Sequence, residues 1–233
     1  MDGQSWRVFE SQPGGNQKGT VDLSRKDVTT VMIKRGTLSA KNHPGDNGMQ
    51  STTPAPLWKT LQADVARFRD EDDSLRALVR GLLSQGFQAL IVYRIFRWFH
   101  DRGIPTQPIR FFVERLTEIV TGISIPAQAQ IGKGLRIHHF GGIIIHSEAR
   151  IGEGCTIYHG VTLGDRGGWG GAPRIGNHVI IGAGAKILGN VTVGDDCRVG
   201  ANAVVTMSIP PRCLAVGVPA VIKEPGHLHH RSP

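Results

Sequence analysis

The spacing of apolar residues divides the chain into regions of different character. Residues 1–55 are rich in Gly, Ser, Thr, Asn and Lys and show almost no hydrophobic periodicity, which is typical of disordered segments. Helical spacing begins in LWKTLQADVARF (57–68) and continues in a second stretch over about 74–101 and a third over about 108–122. We therefore predict a disordered tail over 1–55, followed by a helical domain over 56–122.

After Gly122 the helical period gives way to an aliphatic residue at every sixth position. Such a period matches neither the 3.6-residue turn of a helix nor the two-residue alternation of a strand. It is typical of a triangular solenoid whose flat sides each supply one inward aliphatic residue and whose corners take small or left-handed residues. The pattern predicts a parallel β-helix over 123–222 and a C-terminal tail over 223–233. The phased positions are Ile125, Ile131, Ile137, Ile145, Ile151, Ile157, Leu163, Ile175, Ile181, Ile187, Val193, Val199 and Val205.

The repeat is interrupted at two places. The step from Ile137 to Ile145 is eight residues, so two extra residues enter near the pair His138–His139. Between Leu163 and Ile175 one aliphatic position is skipped, and the Gly-rich segment GDRGGWGGAPR (164–174) predicts a loop that protrudes from the wall. Interruptions of a strict repeat are where function usually lies.

Neighbouring side chains on a strand point to opposite faces. We therefore expect one ring of the pair His138–His139 to face inward and the other outward. His146 falls in the same irregularity, and we expect it at the surface. His159 lies twenty residues after His139 and should sit one coil along the solenoid.

Composition argues against several classes of function but does not identify an activity. The formal charge is +8, but the basic residues are scattered and form no run interleaved with aromatic residues, so we expect no nucleic-acid partner. There is no apolar stretch of membrane-spanning length, and the polar N-terminus does not resemble a secretory signal. The three cysteines lack metal-binding spacing and predict buried thiols in a reducing cytoplasm.

Four stretches carry a resemblance to a known family. In order along the chain they are GFQALIVYRIFRWF, CTIYHGVTLG, IGAGAKILGNVTVG and IPPRCLAVGVPA. Together they make residues 57–225 similar to the serine acetyltransferases, which are hexapeptide-repeat acyltransferases. The resemblance implies an α + β-solenoid protein, with a helical domain before a left-handed β-helix. It also implies acetyl-CoA as donor, a hydroxyl as acceptor, a role in cysteine biosynthesis, and a homotrimer or dimer of trimers with active sites between β-helices.

The resemblance also suggests the acceptor site and its chemistry. Acyl transfer to a hydroxyl needs a general base, and the family's catalytic histidine corresponds to His139 in RIHHFGG. Three positions depart from the family. His138 stands where the family has a serine-binding acid, Ser124 where it has the acid that orients the base, and Ala172 where it has a second histidine. His159 is expected to line the same cleft.

Two further acids are implied near this site. Glu148 or a backbone carbonyl would take over the orientation of the base. Asp72 or Asp73 would supply the acid that the family's helical domain contributes. No metal ligand is expected.

The positions expected to bind CoA are retained. Small residues leave a groove for the pantetheine arm, glycines allow backbone amides to approach the ligand, and basic residues meet the phosphates. In that order they are Ala183 and Ala201, then Gly164, Gly170 and Gly171, then Lys186, Arg198 and Arg212. Trp169, at the tip of the loop, either covers the ligand or packs as an anchor of the loop.

Several alternatives remain open at this stage. The acceptor is serine or a similar small amino acid, or else a sugar hydroxyl of the exopolysaccharide type. A zinc lyase on the same fold would need closely spaced ligands such as H-x4-H, which the histidines do not show. A non-catalytic scaffold would not need His139 or the small groove residues. The chain ends in GHLHHRSP without the isoleucine by which the family docks a sulfhydrylase, so we do not expect that partner.

Overall fold

The structure is a computed structural model that describes residues 56–67, 75–139, 141–167 and 171–224. The tail predicted over 1–55 lies outside the described residues. Four helices come first: α1 (Leu57–Ala66), α2 (Leu75–Leu82), α3 (Gln85–Asp101) and α4 (Ile109–Thr121). None of the helices in the described part of the chain is long and apolar enough to cross a membrane.

The second predicted helical stretch, over about 74–101, consists of two helices. It is divided between α2 and α3 at Ser84, which has an extended backbone and whose Oγ accepts a hydrogen bond from the amide of Phe87 at 3.3 Å. A serine in this role satisfies an amide that the first turn of a helix leaves without a partner. The helix α4 ends at Gly122, which adopts the left-handed conformation (φ 65°) that glycine tolerates without strain.

Short strands wind the rest of the described chain into a parallel solenoid with three faces. Face A contains β1-β4-β7-β10-β13, face B contains β2-β5-β8-β11, and face C contains β3-β6-β9-β12-β14-β15. Only β15 is antiparallel to its neighbour, β14, so the chain turns back at the end of the solenoid. The strands are β1 Ile123–Ser124, β2 Gln130–Ile131, β3 Arg136–His138, β4 Ile143–Ile145, β5 Arg150–Ile151, β6 Thr156–Tyr158, β7 Thr162–Gly164, β8 Arg174–Ile175, β9 Ile180–Ile181, β10 Lys186–Leu188, β11 Thr192–Val193, β12 Arg198–Val199, β13 Val204–Val205, β14 Leu214–Val216 and β15 Val221–Lys223.

The register shows where both interruptions of the repeat go. Ile181 lies beside Val199, eighteen residues on, which is the length of a regular coil. Ile137 lies beside Ile157, twenty residues on, so the first coil holds the two extra residues that the sequence predicts. Ile157 lies beside Ile181, twenty-four residues on, and the excess falls in the predicted loop 164–174. The tip of that loop, 168–170, lies outside the described residues.

The predicted column of aliphatic residues forms the core. All its members are buried except Ile131, which is half-buried. The expectation of one inward residue per flat side is too low, because the residue two positions earlier is also buried. This second column is Ile123, Ala129, Leu135, Ile143, Ala149, Cys155, Val161, Pro173, Val179, Ala185, Val191, Cys197 and Ala203. The three cysteines are free and buried, as predicted.

A buried ion pair attaches the helices to the first coil. The guanidinium of Arg94 in α3 donates to both carboxylate oxygens of Asp64 in α1, at 2.9 and 3.1 Å, and neither side chain is more than 4% exposed. Asp64 also accepts the amides of Gly134 and Leu135, and Arg94 donates to the carbonyls of 131 and 132. The helices and the solenoid share one hydrophobic core, and a domain boundary at Gly122 stays a prediction.

Candidate active site

The two adjacent histidines lie where β3 ends. Ile137 fills the inward position, His138 lies on the outer surface of face C, and His139 occupies the corner between faces C and A. The expectation that one of the rings faces the interior is wrong, because the strand ends at His138 and its alternation does not reach the next residue. His139 adopts a left-handed backbone (φ 63°) and is exposed.

Four aromatic rings gather at this corner. His138 stacks on Tyr158, with ring centroids 4.8 Å apart and planes within 9°, because these residues are register partners on β3 and β6. His159 meets His139 edge-on, at 5.6 Å and 79°, and Tyr158 lies 6.4 Å from His139. The prediction that His159 sits one coil along from His139 is confirmed. Tyr158 was not anticipated, although its position twenty residues after His138 marks it once the coil length is known.

Backbone hydrogen bonds stack successive coils along this corner. The amide of Gly160 donates to the carbonyl of Gly141 at 2.9 Å, and the amide of Gly184 donates to the carbonyl of His159 at 2.8 Å. The amide of Asn202 then donates to the carbonyl of Ala183 at 2.8 Å. We call the segments 139–142, 159–160, 183–184 and 201–202 the histidine corner. It brings His159, Ala183 and Ala201 into one row with Gly141, and the ring of His139 contacts that of His159 at one end of this row. The two alanines have no side chain beyond Cβ.

The three basic residues predicted to bind the CoA phosphates lie on different parts of the solenoid. Lys186 lies on face A, where its Nζ donates to the carbonyl of Gly160 at 2.5 Å and to Thr162 Oγ1 at 3.0 Å. Arg198 is exposed at the start of β12 on face C. Arg212 lies at the corner between faces B and C, where its amide donates to the carbonyl of Asp195, so it is not part of the histidine corner.

The residues predicted in the loop 164–174 differ in burial and in the space around them. Gly164 ends β7 and is half-buried on face A. Gly171 has φ 89°, and a Cβ there would come within 2.6 Å of the Asn190 Cβ, so only glycine fits. Ala172 is 5% exposed and packs in the hydrophobic core. Gly170 and Trp169 lie outside the described residues, as do Asp72 and Asp73.

The two residues considered for orienting the base, Ser124 and Glu148, lie in other surroundings. Ser124 lies half-buried on β1, beside a cavity that Glu114 and Glu118 of α4 also line. No side chain in the described ranges hydrogen-bonds the ring of His139. The amide of Glu148 donates to Nδ1 of His146 at 3.2 Å, at a different corner of the solenoid.

The expected place of His146 within the irregularity is wrong, because the extra residues lie in 139–142. Its ring is half-buried rather than simply exposed. Within the described part of the chain, no group of three or more His, Cys, Asp or Glu side chains is placed to hold a metal ion.

The chain is similar to known proteins in sequence and in fold. Residues 172–206 match the family model described as "Bacterial transferase hexapeptide (six repeats)". The serine acetyltransferase of Synechococcus elongatus is 38% identical over 166 residues, which cover 70% of this chain and 67% of that protein. The serine acetyltransferase of Helicobacter pylori is 45% identical over 145 residues, which cover 60% of this chain and 81% of the relative. The chain belongs to the serine acetyltransferase family.

Solved structures of serine acetyltransferases share the fold. The Brucella abortus enzyme in complex with coenzyme A has a TM-score of 0.67 at 31% identity, over 73% of this chain and 69% of that one. The Neisseria gonorrhoeae enzyme in complex with serine has a TM-score of 0.65 at 33% identity, over 71% and 68%. The predicted left-handed β-helix preceded by helices is thereby confirmed, as is the predicted membership of the acyltransferases.

Proposed function

We propose that this serine acetyltransferase-family protein transfers the acetyl group of acetyl-CoA to the side-chain hydroxyl of L-serine, with His139 as the general base. The observation that carries this proposal is the histidine corner. The exposed imidazole of His139 directly follows β3 there, and the same corner continues along the solenoid through the small residues Ala183 and Ala201.

The reaction needs one proton acceptor and one groove. The imidazole of His139 takes the proton of the hydroxyl as its oxygen attacks the thioester carbonyl, and a C–O bond forms. The tetrahedral intermediate then collapses, the C–S bond breaks, and the imidazolium returns the proton to the departing CoA sulfur. Imidazole suits both steps because it can accept and release a proton near neutral pH.

The groove along the corner would hold the donor. Ala183 and Ala201 would flank the pantetheine arm, since neither has a side chain beyond Cβ. Backbone amides of Gly164, Gly170 and Gly171 would approach the ligand from the loop, and Arg198 would meet a phosphate. The related Brucella abortus enzyme binds coenzyme A, which supports acetyl-CoA as the donor here.

The acceptor proposal rests mainly on the relatives. The gonococcal enzyme binds serine, and the curated relatives are serine acetyltransferases, which favours serine over a sugar hydroxyl. His138, Ser124 and His159 would line the acceptor site. Ala172 supplies no polar group there, so the amino and carboxylate groups of serine must find other partners than in the family pattern. The product, an O-acetylated serine, would make the protein part of cysteine biosynthesis.

We propose that the protein is a cytoplasmic homotrimer or dimer of trimers. The three buried free thiols support a reducing compartment. Support for assembly comes from α4, where Ile109, Phe112, Leu116 and Ile119 recur at steps of three and four and are between 61% and 73% exposed. We call these four residues the α4 stripe. Such spacing is typical of a helix that packs against another helix.

An acceptor screen tests the proposed function. Thiol release from acetyl-CoA is followed with purified protein and L-serine, with a set of saccharides, and without acceptor. We expect release that depends on serine, and O-acetylserine as the product by mass spectrometry. Release at the no-acceptor rate with serine, together with faster release with a saccharide, would contradict the proposal.

A further inference from the structure

We propose that Lys186 is a positioning residue for acetyl transfer. Its ammonium holds the His159–Gly160 turn, and through that turn the ring of His159, against His139. The inference rests on the proposed role of His139 and adds a residue that acts through the base's neighbour without touching the reacting atoms.

The contacts of Lys186 run along the outside of the solenoid to the preceding coil. Its Nζ donates to the carbonyl of Gly160 at 2.5 Å and to Thr162 Oγ1 at 3.0 Å, and the residue is half-buried. Lys186 and Thr162 are register partners on β10 and β7, so the side chain reaches back across one coil to the histidine corner. Hydrogen bonds from an ammonium to a carbonyl are stronger than those between neutral groups. These two contacts use two of the three N–H donors of the ammonium.

Three hydrogen bonds to neighbouring coils hold the His159–Gly160 turn. Gly160 adopts φ 70°, and its amide donates to the carbonyl of Gly141 in the coil that carries His139. The carbonyl of His159 accepts the amide of Gly184 in the following coil. The carbonyl of Gly160 accepts a hydrogen bond from Nζ of Lys186. The lysine thus fixes the peptide group between Gly160 and Val161, one residue beyond His159, whose ring lies 5.6 Å from that of His139.

Lys186 is the charged member of its column. The outward residues in register across face A are Ser124, Ile144, Thr162, Lys186 and Val204. The others are too short or too apolar to reach a corner carbonyl with a charged donor. Among the described strands of face A, this clamp is present only on the coil that carries His159. That coil must be held if the second imidazole orients the base.

A positioning role and a phosphate contact differ in what they change. A lysine that binds a CoA phosphate lowers the KM for acetyl-CoA and has no effect on a donor without phosphates. A lysine that positions the base's neighbour acts on kcat with either donor, because a small displacement of a catalytic group slows the chemical step. S-acetylpantetheine, which lacks the phosphates of CoA, separates the two roles.

The test compares Lys186→Met with Lys186→Arg, and uses Lys133→Met as matched control. Lys133 is exposed and pairs with Glu153 at 3.3 Å, away from the histidine corner. For Lys186→Met we expect a fall in kcat of about tenfold with both donors and a change in KM for acetyl-CoA of less than about twofold. Lys186→Arg, which keeps a charged donor, should recover most of the rate, and Lys133→Met should match the wild type.

Two results would overturn the inference. One is a rise in KM for acetyl-CoA that disappears with S-acetylpantetheine, which would mean that Lys186 binds a phosphate. The other is an unchanged kcat in Lys186→Met.

Amide hydrogen exchange distinguishes failure of this inference from failure of the proposed function. If the wild type releases no thiol with any acceptor, the proposed function fails, and Lys186 is judged by exchange alone. We expect the peptide over 156–165 to exchange faster in Lys186→Met and the peptide over 198–205 to stay unchanged. Equal exchange over 156–165 would remove the positioning role even if the enzyme proves active.

Discussion

The imidazole of His159 meets that of His139 edge-on, with ring centroids 5.6 Å apart and planes inclined at 79°. The rings are neighbours because the first coil is twenty residues long, which places the two residues at the same corner. Edge-to-face contacts of this kind contribute about 0.5–1.5 kcal/mol. No side chain within the described ranges hydrogen-bonds the ring of His139, so His159 is the ring contact that an orienting role for a neighbour would use if His139 is the base.

Replacing His139 tests the proposed base against a closely matched control. His139 and His178 both lie at exposed corners with left-handed backbones, at φ 63° and 55°. Asparagine tolerates that conformation, so His139→Asn and His178→Asn should keep the fold equally well. We expect a fall in kcat of about 10²–10⁴-fold for His139→Asn and none for His178→Asn, measured as thiol release from acetyl-CoA. Equal rates in the two variants would rule out His139 as the base.

The Asp64–Arg94 pair should dominate the attachment of the helices. Asp64→Ala leaves a buried guanidinium and the amides of Gly134 and Leu135 without their acceptor. We expect a loss of about 3–5 kcal/mol in the free energy of unfolding, measured by urea denaturation.

The matched control removes a carboxylate from a more exposed pair. Arg115 and Glu118 are 56% and 38% exposed and lie 2.8 Å apart. Glu118→Ala should cost about 0.2–1 kcal/mol. Similar losses for Asp64→Ala and Glu118→Ala would show that the buried pair does not hold the helices.

The buried thiol of Cys155 should make stability fall in alkaline solution. Burial raises the pKa of Cys155 to about 11, whereas an unfolded thiol titrates near 8.5. Between these two values the folded state keeps a proton that the unfolded state has lost, so the free energy of unfolding decreases as pH rises. The contribution amounts to roughly 1.4 kcal/mol per pH unit.

Cys155→Ala isolates this effect from other alkaline groups. Urea unfolding at pH about 8 and about 10.5 should show a smaller decrease in stability for the variant than for the wild type. At the lower pH, the native thiol should also react slowly with a disulfide reagent and react fully only after unfolding. Identical pH dependence in both proteins would mean that the thiol is not held protonated.

The α4 stripe should mediate association between copies. Leu116 is 61% exposed at its centre. Leu116→Glu places a charge there, which is unfavourable once the stripe is covered. We expect a lower molar mass than for the wild type in size-exclusion chromatography with light scattering. Gln88→Glu adds the same charge at an exposed position of α3 and should leave the mass unchanged. An unaltered mass for Leu116→Glu would show that the stripe is not an interface.

The six-residue period by itself determined the solenoid, its two interruptions and the row of buried aliphatic residues. It could do so because each flat side repeats the same local pattern of inward apolar residues followed by a tight corner, and hydrophobic spacing records that pattern directly. The resemblance in the same residues identified the family, and it predicts His139 as the base. The division of the helical stretch at Ser84 was less visible, because the apolar spacing continues across the capping residue.

Only the tertiary structure decided which side chains meet between coils. The stack of His138 on Tyr158, the edge contact of His159 with His139, and the clamp of Lys186 on Gly160 all join residues twenty or more positions apart. These contacts depend on coil length and strand register, which shift when residues are inserted at a corner. A one-dimensional pattern shows that an insertion exists, but the partners of the shifted side chains follow only from the hydrogen bonds that stack one coil on the next.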